Sequence, residues 1–398
     1  MLGIFASSPK NGNLSVKKSG GKKLKKIIII TYIFSYNYGA FLQAKATQLM
    51  LEKLGFSSIF LDYCSNGEKK QRSIIKWYKS QTVKNNLKNI LGSLYFGIIK
   101  KEITNGKSNF GKAIADLPKI SMLALNAETV LCGSDQIWNP DICDGKFDPI
   151  YFGDVIGAQK KVSFASSFGS YRLLAGEEVI IKRYLSGFSS ISVREEYAKK
   201  MLKSFLKNDI EVVLDPTLCV DKTGWLKLSK NREKYREVVK EKYILLYTVG
   251  DYRVAEKFIK YYKKKLECKV LWLKLDTRQN LDVDYIINDA TPYDFLYLIS
   301  EADFIITNSF HGTVFSINFN IDFISIKNQK NPERVKDILE KLNLESRLVD
   351  SSYTTSQMPC KCIDYSKSNM LLQNLREESL NWIFNALKNE KNNQKYAD

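Results

Sequence analysis

Short apolar runs alternate with segments of helical periodicity along most of the chain, a pattern typical of α/β proteins. The first apolar run, at residues 25–32, predicts a buried strand, and the apolar spacing over residues 41–54 predicts a helix. A polar loop with Asn37 and Gly39 separates the two, and residues 58–63 predict a second strand. Strand, glycine loop, helix and strand in this order form the first unit of a Rossmann-like sheet.

The alternation occurs in two blocks. The remaining predicted strands lie at 129–132, 161–165, 190–193 and 212–214 in the first block and at 243–248, 269–275, 304–307 and 323–326 in the second. The predicted organisation is a flexible basic tail at 1–23, an N-terminal domain at 24–220, a linker or bridging helix at 221–241, a C-terminal domain at 242–350 and a helical extension at 351–398. Two Rossmann-like domains predict a GT-B-like α/β fold with the active site in the cleft between them, at the carboxyl ends of the strands.

Composition excludes several classes of protein. Of the 398 residues, 44% are apolar and 26% are charged, which is usual for a folded domain. No apolar run approaches the roughly 20 residues of a membrane-spanning helix, and the first residues lack the pattern of a signal peptide. Seven cysteines, an odd number, indicate reduced thiols rather than a disulfide framework. We therefore expect a cytoplasmic protein.

The net charge of +18 is concentrated in two places. Residues 1–26 carry seven Lys and no acid, and residues 69–112 carry eleven Lys or Arg and one acid. Together these segments hold 17 of the 18 net charges, whereas a nucleic-acid-binding protein usually spreads basic residues over its folded face. We expect no nucleic-acid partner.

The segment 69–112 interleaves lysines with apolar and aromatic residues. This composition fits a basic amphipathic insert lying on anionic lipid, which would place the protein peripherally on the inner face of the cell membrane. It equally fits two ordinary helices that cover the sheet and leave their lysines in water.

His311 is the only histidine, and it follows a predicted strand at the carboxyl end. The helix behind it offers free backbone N–H groups, a seat for phosphate or carboxylate, and the imidazole could act as a proton donor. A polar residue near a helix start is the alternative. Cys360-x-Cys362 is too closely spaced for a zinc site, and Asp282-x-Asp284 lacks supporting context, so no metal is predicted. The chain also lacks a G-x-G-x-x-G motif, so no dinucleotide cofactor is predicted.

Six strings combine into a recognisable set: NYGAFLQAKATQLMLEKLGF (37–56), CGSDQIWNP (132–140), SFASSFG (163–169), SVREE (192–196), DPTL (215–218) and ITNSFHGTVFSI (306–317). Together they resemble the polysaccharide pyruvyl transferase family over roughly residues 25–345. The resemblance implies a GT-B-like enzyme of capsule or exopolysaccharide synthesis. Such an enzyme moves the pyruvyl group of phosphoenolpyruvate onto a sugar as a ketal, with no further cofactor. The acceptor would be a surface polysaccharide or its polyprenyl-diphosphate-linked precursor, held by the N-terminal domain, with the donor held by the C-terminal domain.

Carried over by position, His311 is the expected general acid and Arg194 an expected ligand of phosphoenolpyruvate. Asp135 is the expected base. Many family members have Arg where this chain has Ser309, two residues before the histidine. Either other cations hold the anionic donor, with Arg194, Lys330 and Arg334 as the candidates, or the donor differs. The expected substrate-binding set is Arg194, Ser309, Gly312, Thr313, Lys330, Arg334, Asn37, Gly39, Ser134 and Gln136.

Two other functions fit the sequence less fully. A GT-B glycosyltransferase would use a nucleotide sugar instead of phosphoenolpyruvate. A non-catalytic membrane-binding or nucleic-acid-binding protein would depend on the basic segments alone.

Overall fold

A computed structural model of the chain describes residues 26–72, 110–122, 129–229, 233–250, 252–274, 281–327 and 333–388. The predicted tail at 1–23, most of the basic segment 69–112, and Lys330 lie outside the described residues. Within these ranges, none of the helices combines the length and the apolar character needed to cross a membrane. All seven cysteines fall within the described ranges, and each is a free thiol; Cys360 and Cys362 are exposed.

The first sheet has seven parallel strands in the order β3-β2-β1-β4-β5-β6-β7. They are β1 (Lys26–Ile30), β2 (Ser57–Leu61), β3 (Lys119–Ile120), β4 (Thr129–Cys132), β5 (Lys160–Ser166), β6 (Ser190–Val193) and β7 (Ile210–Val212). The central strands are buried on both faces, which explains their continuous apolar runs. The order reverses between β1 and β4, so a crevice lies at the carboxyl ends of these two strands.

The second sheet has six parallel strands in the order β10-β9-β8-β11-β12-β13. They are β8 (Tyr243–Tyr247), β9 (Lys269–Leu273), β10 (Tyr285–Ile287), β11 (Phe304–Thr307), β12 (Asp322–Ile326) and β13 (Leu348–Val349). The corresponding crevice lies between β8 and β11, and β11 is the strand that leads to His311. Both sheets have the Rossmann strand order, which confirms the predicted α/β class with two Rossmann-like sheets.

Helices connect the strands. In chain order they are α1 (Tyr38–Lys53), α2 (Asn66–Arg72), α3 (Glu177–Leu185), α4 (Glu196–Lys203), α5 (Pro216–Cys219), α6 (Lys222–Leu226), α7 (Glu256–Leu266), α8 (Pro292–Ser300), α9 (Phe310–Phe319), α10 (Glu333–Lys341) and α11 (Tyr365–Lys388), with a further short helical segment at 110–115. In the segment expected to be a linker or bridging helix, α6 buries Trp225 completely against Phe315 of α9.

The two halves share one apolar core. Tyr38 at the start of α1 is fully buried, its ring stacks on Phe295 of α8, and its hydroxyl donates to the carbonyl of Ala290. Phe41, one turn later, contacts Tyr293 edge to face. Because these contacts join the carboxyl ends of the two sheets, the described halves lie closed on each other around the crevice.

The last helix, α11, crosses from the second half to the first. At its start the Tyr365 hydroxyl donates to the carbonyl of Ile321. Further along, Ser379 accepts a hydrogen bond from the Leu214 N–H, and Lys160 donates to the carbonyl of Leu387. The helix of the predicted extension thus packs against the first half along much of its length, although it begins at the second half.

Candidate functional site

The site lies where the carboxyl ends of the two sheets meet. The first half contributes the start of α1 with Gly39 and the loops after β4, β6 and β7 with Asp135, Arg194 and Asp215. The second half contributes the helix start at His311 and α10. These side chains come from positions almost 300 residues apart in the chain. A doubly wound sheet brings such positions together because every strand ends at the same edge.

His311 stands on the first turn of α9. Ser309 is the N-cap: its hydroxyl accepts a hydrogen bond from the Gly312 N–H at 3.4 Å, and its own N–H donates to Thr307 Oγ1 at 3.0 Å. A Cβ at Gly312 would come within 2.2 Å of Thr307 Oγ1, so only glycine lets the helix begin this close to the strand end. The first N–H groups of α9 therefore face the crevice beside the imidazole.

The other half of the molecule fixes the ring of His311. A Cβ at Gly39 would lie 2.0 Å from His311 Nδ1, so the imidazole packs directly on the backbone of α1. Asn37 caps that helix, since its side-chain oxygen accepts from the N–H groups of Gly39 and Ala40. The structure thus explains the NYG string: Asn37 begins the helix and Gly39 leaves room for the histidine.

Arg194 is held by two carboxylates. Its Nε donates to Glu195 Oε1 at 3.0 Å, and its Nη1 donates to Asp215 Oδ2 at 2.7 Å. The third nitrogen, Nη2, is buried without a hydrogen-bond partner and lies 3.8 Å from Asp135 Oδ1. Burial alone would lower the pKa of Arg194, but Glu195, Asp215 and Asp135 raise it above the ordinary value, so the guanidinium stays charged.

A second guanidinium approaches from α10. Arg334 Nη2 lies 3.9 Å from Asp135 Oδ1, and Arg334 Nε lies 3.5 Å from Glu195 Oε1 without a hydrogen-bond partner. The guanidinium carbons of Arg194 and Arg334 lie 4.9 and 4.7 Å from the ring centre of Phe310, a cation–π arrangement. Burial and then Arg194 lower the pKa of Arg334 to about 10, so it remains charged at neutral pH.

Asp215 is completely buried at the centre of the cluster. Its Oδ1 accepts from the N–H and hydroxyl of Thr217, and its Oδ2 accepts from Arg194 and, at 3.0 Å, from the Ser134 hydroxyl. Burial would raise its pKa, but Arg194, His311 and the Thr217 hydrogen bonds outweigh burial and hold the pKa far below its usual range. Asp215 is therefore an anion under all physiological conditions.

His311 is neutral in this state. Its side chain is 8% exposed, and its Nε2, which lies 3.9 Å from Asp215 Oδ2, has no hydrogen-bond partner. Burial lowers its pKa to about 4, although Asp215 and Asp135 act in the opposite direction. The ring is buried, but it lies between the two halves and near the cationic side chains of Arg194 and Arg334, where it could exchange a proton with a bound anion.

Four buried polar atoms of this cluster have no hydrogen-bond partner among the described residues: Arg194 Nη2, Arg334 Nε, Glu195 Oε2 and His311 Nε2. Buried polar groups are nearly always satisfied, so a group of exceptions at one place indicates a site for a polar ligand or water. The donors are nitrogens of two cations and the acceptors are a carboxylate and an imidazole. Such a set can hold an anion and exchange a proton with it.

Other expected site residues are occupied within the fold. Thr313 Oγ1 donates to the carbonyl of Ser309 and lies 2.8 Å from Ser325 Oγ. Gln136 packs over Gly169 and accepts from the Asn139 amide, and the Ser134 hydroxyl donates to Asp215. These residues shape the site, and none of these contacts presents them to a ligand.

Three residues of the cluster were not expected from the sequence: Asp215, Glu195 and Phe310. Asp215 and Glu195 lie inside the strings DPTL and SVREE, and Phe310 lies between Ser309 and His311. Their position within these strings was the one signal in the sequence that could have assigned them to the site. Among the described residues, no group of three His, Cys, Asp or Glu side chains is arranged to hold a metal ion.

Two Rossmann-like sheets with one polar site between their carboxyl edges define a GT-B-like α/β protein. A family model described as polysaccharide pyruvyl transferase matches residues 37–330, which is more than half of the chain. The chain belongs to the polysaccharide pyruvyl transferase family, and it is a transferase of the polysaccharide-modifying kind.

Solved structures with a similar course of the chain are distant in sequence. The UDP-GlcNAc 2-epimerase of Methanocaldococcus jannaschii is 14% identical with a TM-score of 0.48, over 89% of this chain and 100% of that one. A glycosyltransferase from Rickettsia africae is 13% identical with a TM-score of 0.48, over 93% of this chain and 100% of that one. No curated protein sequence matches the chain.

Proposed function

We propose that the enzyme transfers the pyruvyl group of phosphoenolpyruvate to two hydroxyls of one sugar, forming a ketal and releasing phosphate. Membership of the family supports the reaction class. The observation that supports this donor is the pair of buried guanidinium groups, Arg194 and Arg334. Each has an unpartnered nitrogen, and both pack on Phe310, the residue next to His311. Phosphoenolpyruvate carries about three negative charges near neutral pH, because the second phosphate pKa is near 6.

Arg334 supplies the positive charge that is missing at position 309, where this chain has Ser309. The chain has no Arg two residues before the histidine, but Arg334 comes to Phe310 from α10 and reaches Asp135 on the opposite half. A donor carboxylate can accept from both guanidinium groups, and a donor phosphate can accept from the first N–H groups of α9. The donor then bridges the two halves, as Arg334 and Asp135 do in the structure.

The proton step follows from the neutral imidazole. Since burial keeps His311 unprotonated in the free enzyme, the arriving trianion must raise its pKa and bring a proton onto the ring. His311 Nε2 then protonates the methylene carbon, and the double-bond electrons form the new C–H bond, leaving a cationic centre at C2. One sugar hydroxyl adds to C2, and the second displaces the phosphate from it. Of the two hydroxyl protons, one replaces the proton that His311 gave to the new methyl group, and the other leaves with the phosphate.

Asp135 is suited to take a hydroxyl proton. Its carboxylate lies 3.8 Å from Arg194 and 3.9 Å from Arg334, too far for good hydrogen bonds. A donor carboxylate that binds these guanidinium groups competes with Asp135 for them. The released Asp135 carboxylate can then accept from the acceptor sugar.

The acceptor is proposed to be a surface-polysaccharide sugar, carried on a polyprenyl diphosphate at the inner face of the membrane. The basis is the family together with the basic, aromatic-rich composition of residues 69–112, which lie mostly outside the described residues. A lipid-linked acceptor and a basic amphipathic segment would meet at the same surface.

Thermal unfolding with and without ligands tests the donor. Phosphoenolpyruvate should raise the melting temperature, since a ligand that binds only the folded state stabilises it, and nucleotide sugars should leave it unchanged. Arg334→Gln should abolish the shift. Lys336→Gln removes the same charge from an exposed position on the same helix and should preserve the shift. Stabilisation by a nucleotide sugar and not by phosphoenolpyruvate would instead support a glycosyltransferase.

A further inference from the structure

We propose that Asp215 is the positioning residue of the site. Its carboxylate fixes the orientation of the Arg194 guanidinium toward the donor, and its charge faces His311 Nε2 and favours the protonated ring. The inference rests on the proposed function for its catalytic consequence. The contacts of Asp215 themselves are independent of which donor binds.

The first argument is the geometry of Arg194. A guanidinium has three nitrogens in one plane, and two of them are bound, Nε by Glu195 and Nη1 by Asp215 at 2.7 Å. Because Nε and Nη1 are both held, the orientation of the planar guanidinium is fixed. Nη2 is therefore directed into the site, where it is buried and has no hydrogen-bond partner. Without Asp215 the guanidinium could rotate about its bond to Glu195, and the orientation of Nη2 would be lost.

The second argument is that Asp215 is itself rigid. Its Oδ1 is bound twice by Thr217, and Oδ2 accepts from Ser134, whose backbone carbonyl accepts in turn from the Thr31 hydroxyl at 2.8 Å. The flanking backbone is also braced, because Leu214 N–H donates to Ser379, and the carbonyl of Leu218 accepts from Arg376 at 2.7 Å. A carboxylate fixed at both oxygens and on both sides is well suited to position other groups.

The third argument is the position of His311. Asp215 Oδ2 lies 3.9 Å from Nε2, too far for a hydrogen bond but close enough for a strong charge interaction in a water-excluded site. The other charged groups facing the ring are Asp135 from the loop after β4, Arg194 from the loop after β6 and Arg334 from α10. Of the two carboxylates, Asp215 has the larger effect, and both favour the protonated ring.

The test compares Asp215→Asn with Asp221→Asn. Both aspartates cap short helices, but Asp221 caps α6 at an exposed position away from the site. The asparagine oxygen can still accept from the Thr217 N–H, while its amide would point N–H groups at Arg194 and remove the charge near His311. Phosphate release from phosphoenolpyruvate, with a panel of monosaccharides supplied as acceptors, should fall about 10²-fold in Asp215→Asn, as expected for a misplaced binding group. It should stay unchanged in Asp221→Asn.

A second readout does not depend on the donor. Because His311 is the only histidine, its Cε1–H resonance is assigned without ambiguity, and its titration can be followed by NMR in the free enzyme. In Asp215→Asn the ring should stay neutral to lower pH than in the wild type, and in Asp221→Asn the titration should be unchanged. An unchanged titration together with turnover within twofold of the Asp221→Asn enzyme would overturn the proposal.

If Asp215→Asn does not fold, Ser134→Ala gives a milder test, because it removes only one donor to Oδ2. Turnover should then fall roughly tenfold, the value of one buried hydrogen bond, and full activity would count against the proposal. Wild-type enzyme that neither binds phosphoenolpyruvate nor releases phosphate would refute the proposed function. The NMR arm would still decide whether Asp215 acts on His311.

Discussion

Burial acts on His311 more strongly than the carboxylates around it do. The pKa of the ring falls to about 4 because desolvation disfavours the imidazolium, and Asp215 and Asp135 recover only part of that loss. An unfolded chain has its histidine in water with the ordinary pKa near 6.5. Between these two values the unfolded chain binds a proton that the folded protein does not.

This difference predicts acid destabilisation. The contribution of His311 to stability is complete above pH 6.5 and is lost as the pH falls toward 4, about 2 kcal/mol by pH 5. His311→Asn should therefore lose less free energy of unfolding than the wild type between pH 7 and pH 5, measured by urea denaturation. Equal losses in the two proteins would show that the folded ring is not held neutral.

For individual residues, the sequence singles out candidates for the site better than it predicts the groups that they contact. His311, Arg194 and Asp135 each follow a strand at its carboxyl end, His311 in the second sheet and the other two in the first, and the sequence pattern contains this information. The contacts of Phe310 could not be anticipated, because Arg194 of the first half and Arg334 of α10 reach its ring only through tertiary packing. Gly39 was placed in the site by its string, but its closeness to His311 depends on the closure of the two halves.

Among the elements, α11 has the widest effect on the site. Ser379, which is 3% exposed, accepts from the N–H of Leu214, and Arg376 donates to the carbonyl of Leu218, so this helix braces the loop on both sides of Asp215. Asn318 of α9 donates to the carbonyls of Thr217 and Val220 on the same loop. The loop is thus held by a helix of each half.

Removing the Ser379 hydroxyl should weaken the fold measurably. In Ser379→Ala the buried Leu214 N–H loses its partner, which costs about 1–3 kcal/mol. Ser170→Ala, at an exposed position, provides the control for the same change and should have little effect. Urea or thermal denaturation of both variants checks this, and equal stability would mean that the Ser379 hydroxyl does not brace the loop.

The central elements were predictable because burial on both faces makes their apolar runs continuous. The strands at 129–132, 190–193 and 304–307 have the predicted bounds. The edge strands β3, β10 and β13 were not predicted, and the edge strand β7 begins and ends two residues earlier than predicted, since two or three residues are too few to show a period. The helix α1 begins three residues earlier than predicted because Asn37 caps it, a signal that the apolar spacing does not contain.

For the whole molecule, the net positive charge is concentrated in two segments of the sequence. Seventeen of the 18 net positive charges belong to residues 1–26 and 69–112, so the rest of the chain is nearly neutral. Within the site, two arginines face three carboxylates. Under the proposed function, donor binding therefore depends on directed hydrogen bonds and not on a general positive field.

This separation predicts that membrane binding and catalysis can be removed independently. Replacing the Lys and Arg of 69–112 by Gln should abolish sedimentation with anionic vesicles, while the melting shift with phosphoenolpyruvate persists. Replacing the lysines of 1–26 gives the matched control. Sedimentation that survives the changes in 69–112 would place the lipid contact elsewhere, and loss of the melting shift would show that the segment also supports the site.

The crossing of α11 also has a consequence for synthesis on the ribosome. The chain emerges from its N-terminus, and domains generally fold in that order, yet the loop that carries Asp215 obtains its bracing from residues near 376 and 379. The loop around Asp215 therefore obtains these two braces only after residues 376 and 379 have been translated. A nascent chain that stalls before this helix lacks both braces and leaves Phe56 and Phe164 of the first half without their aromatic partners on α11.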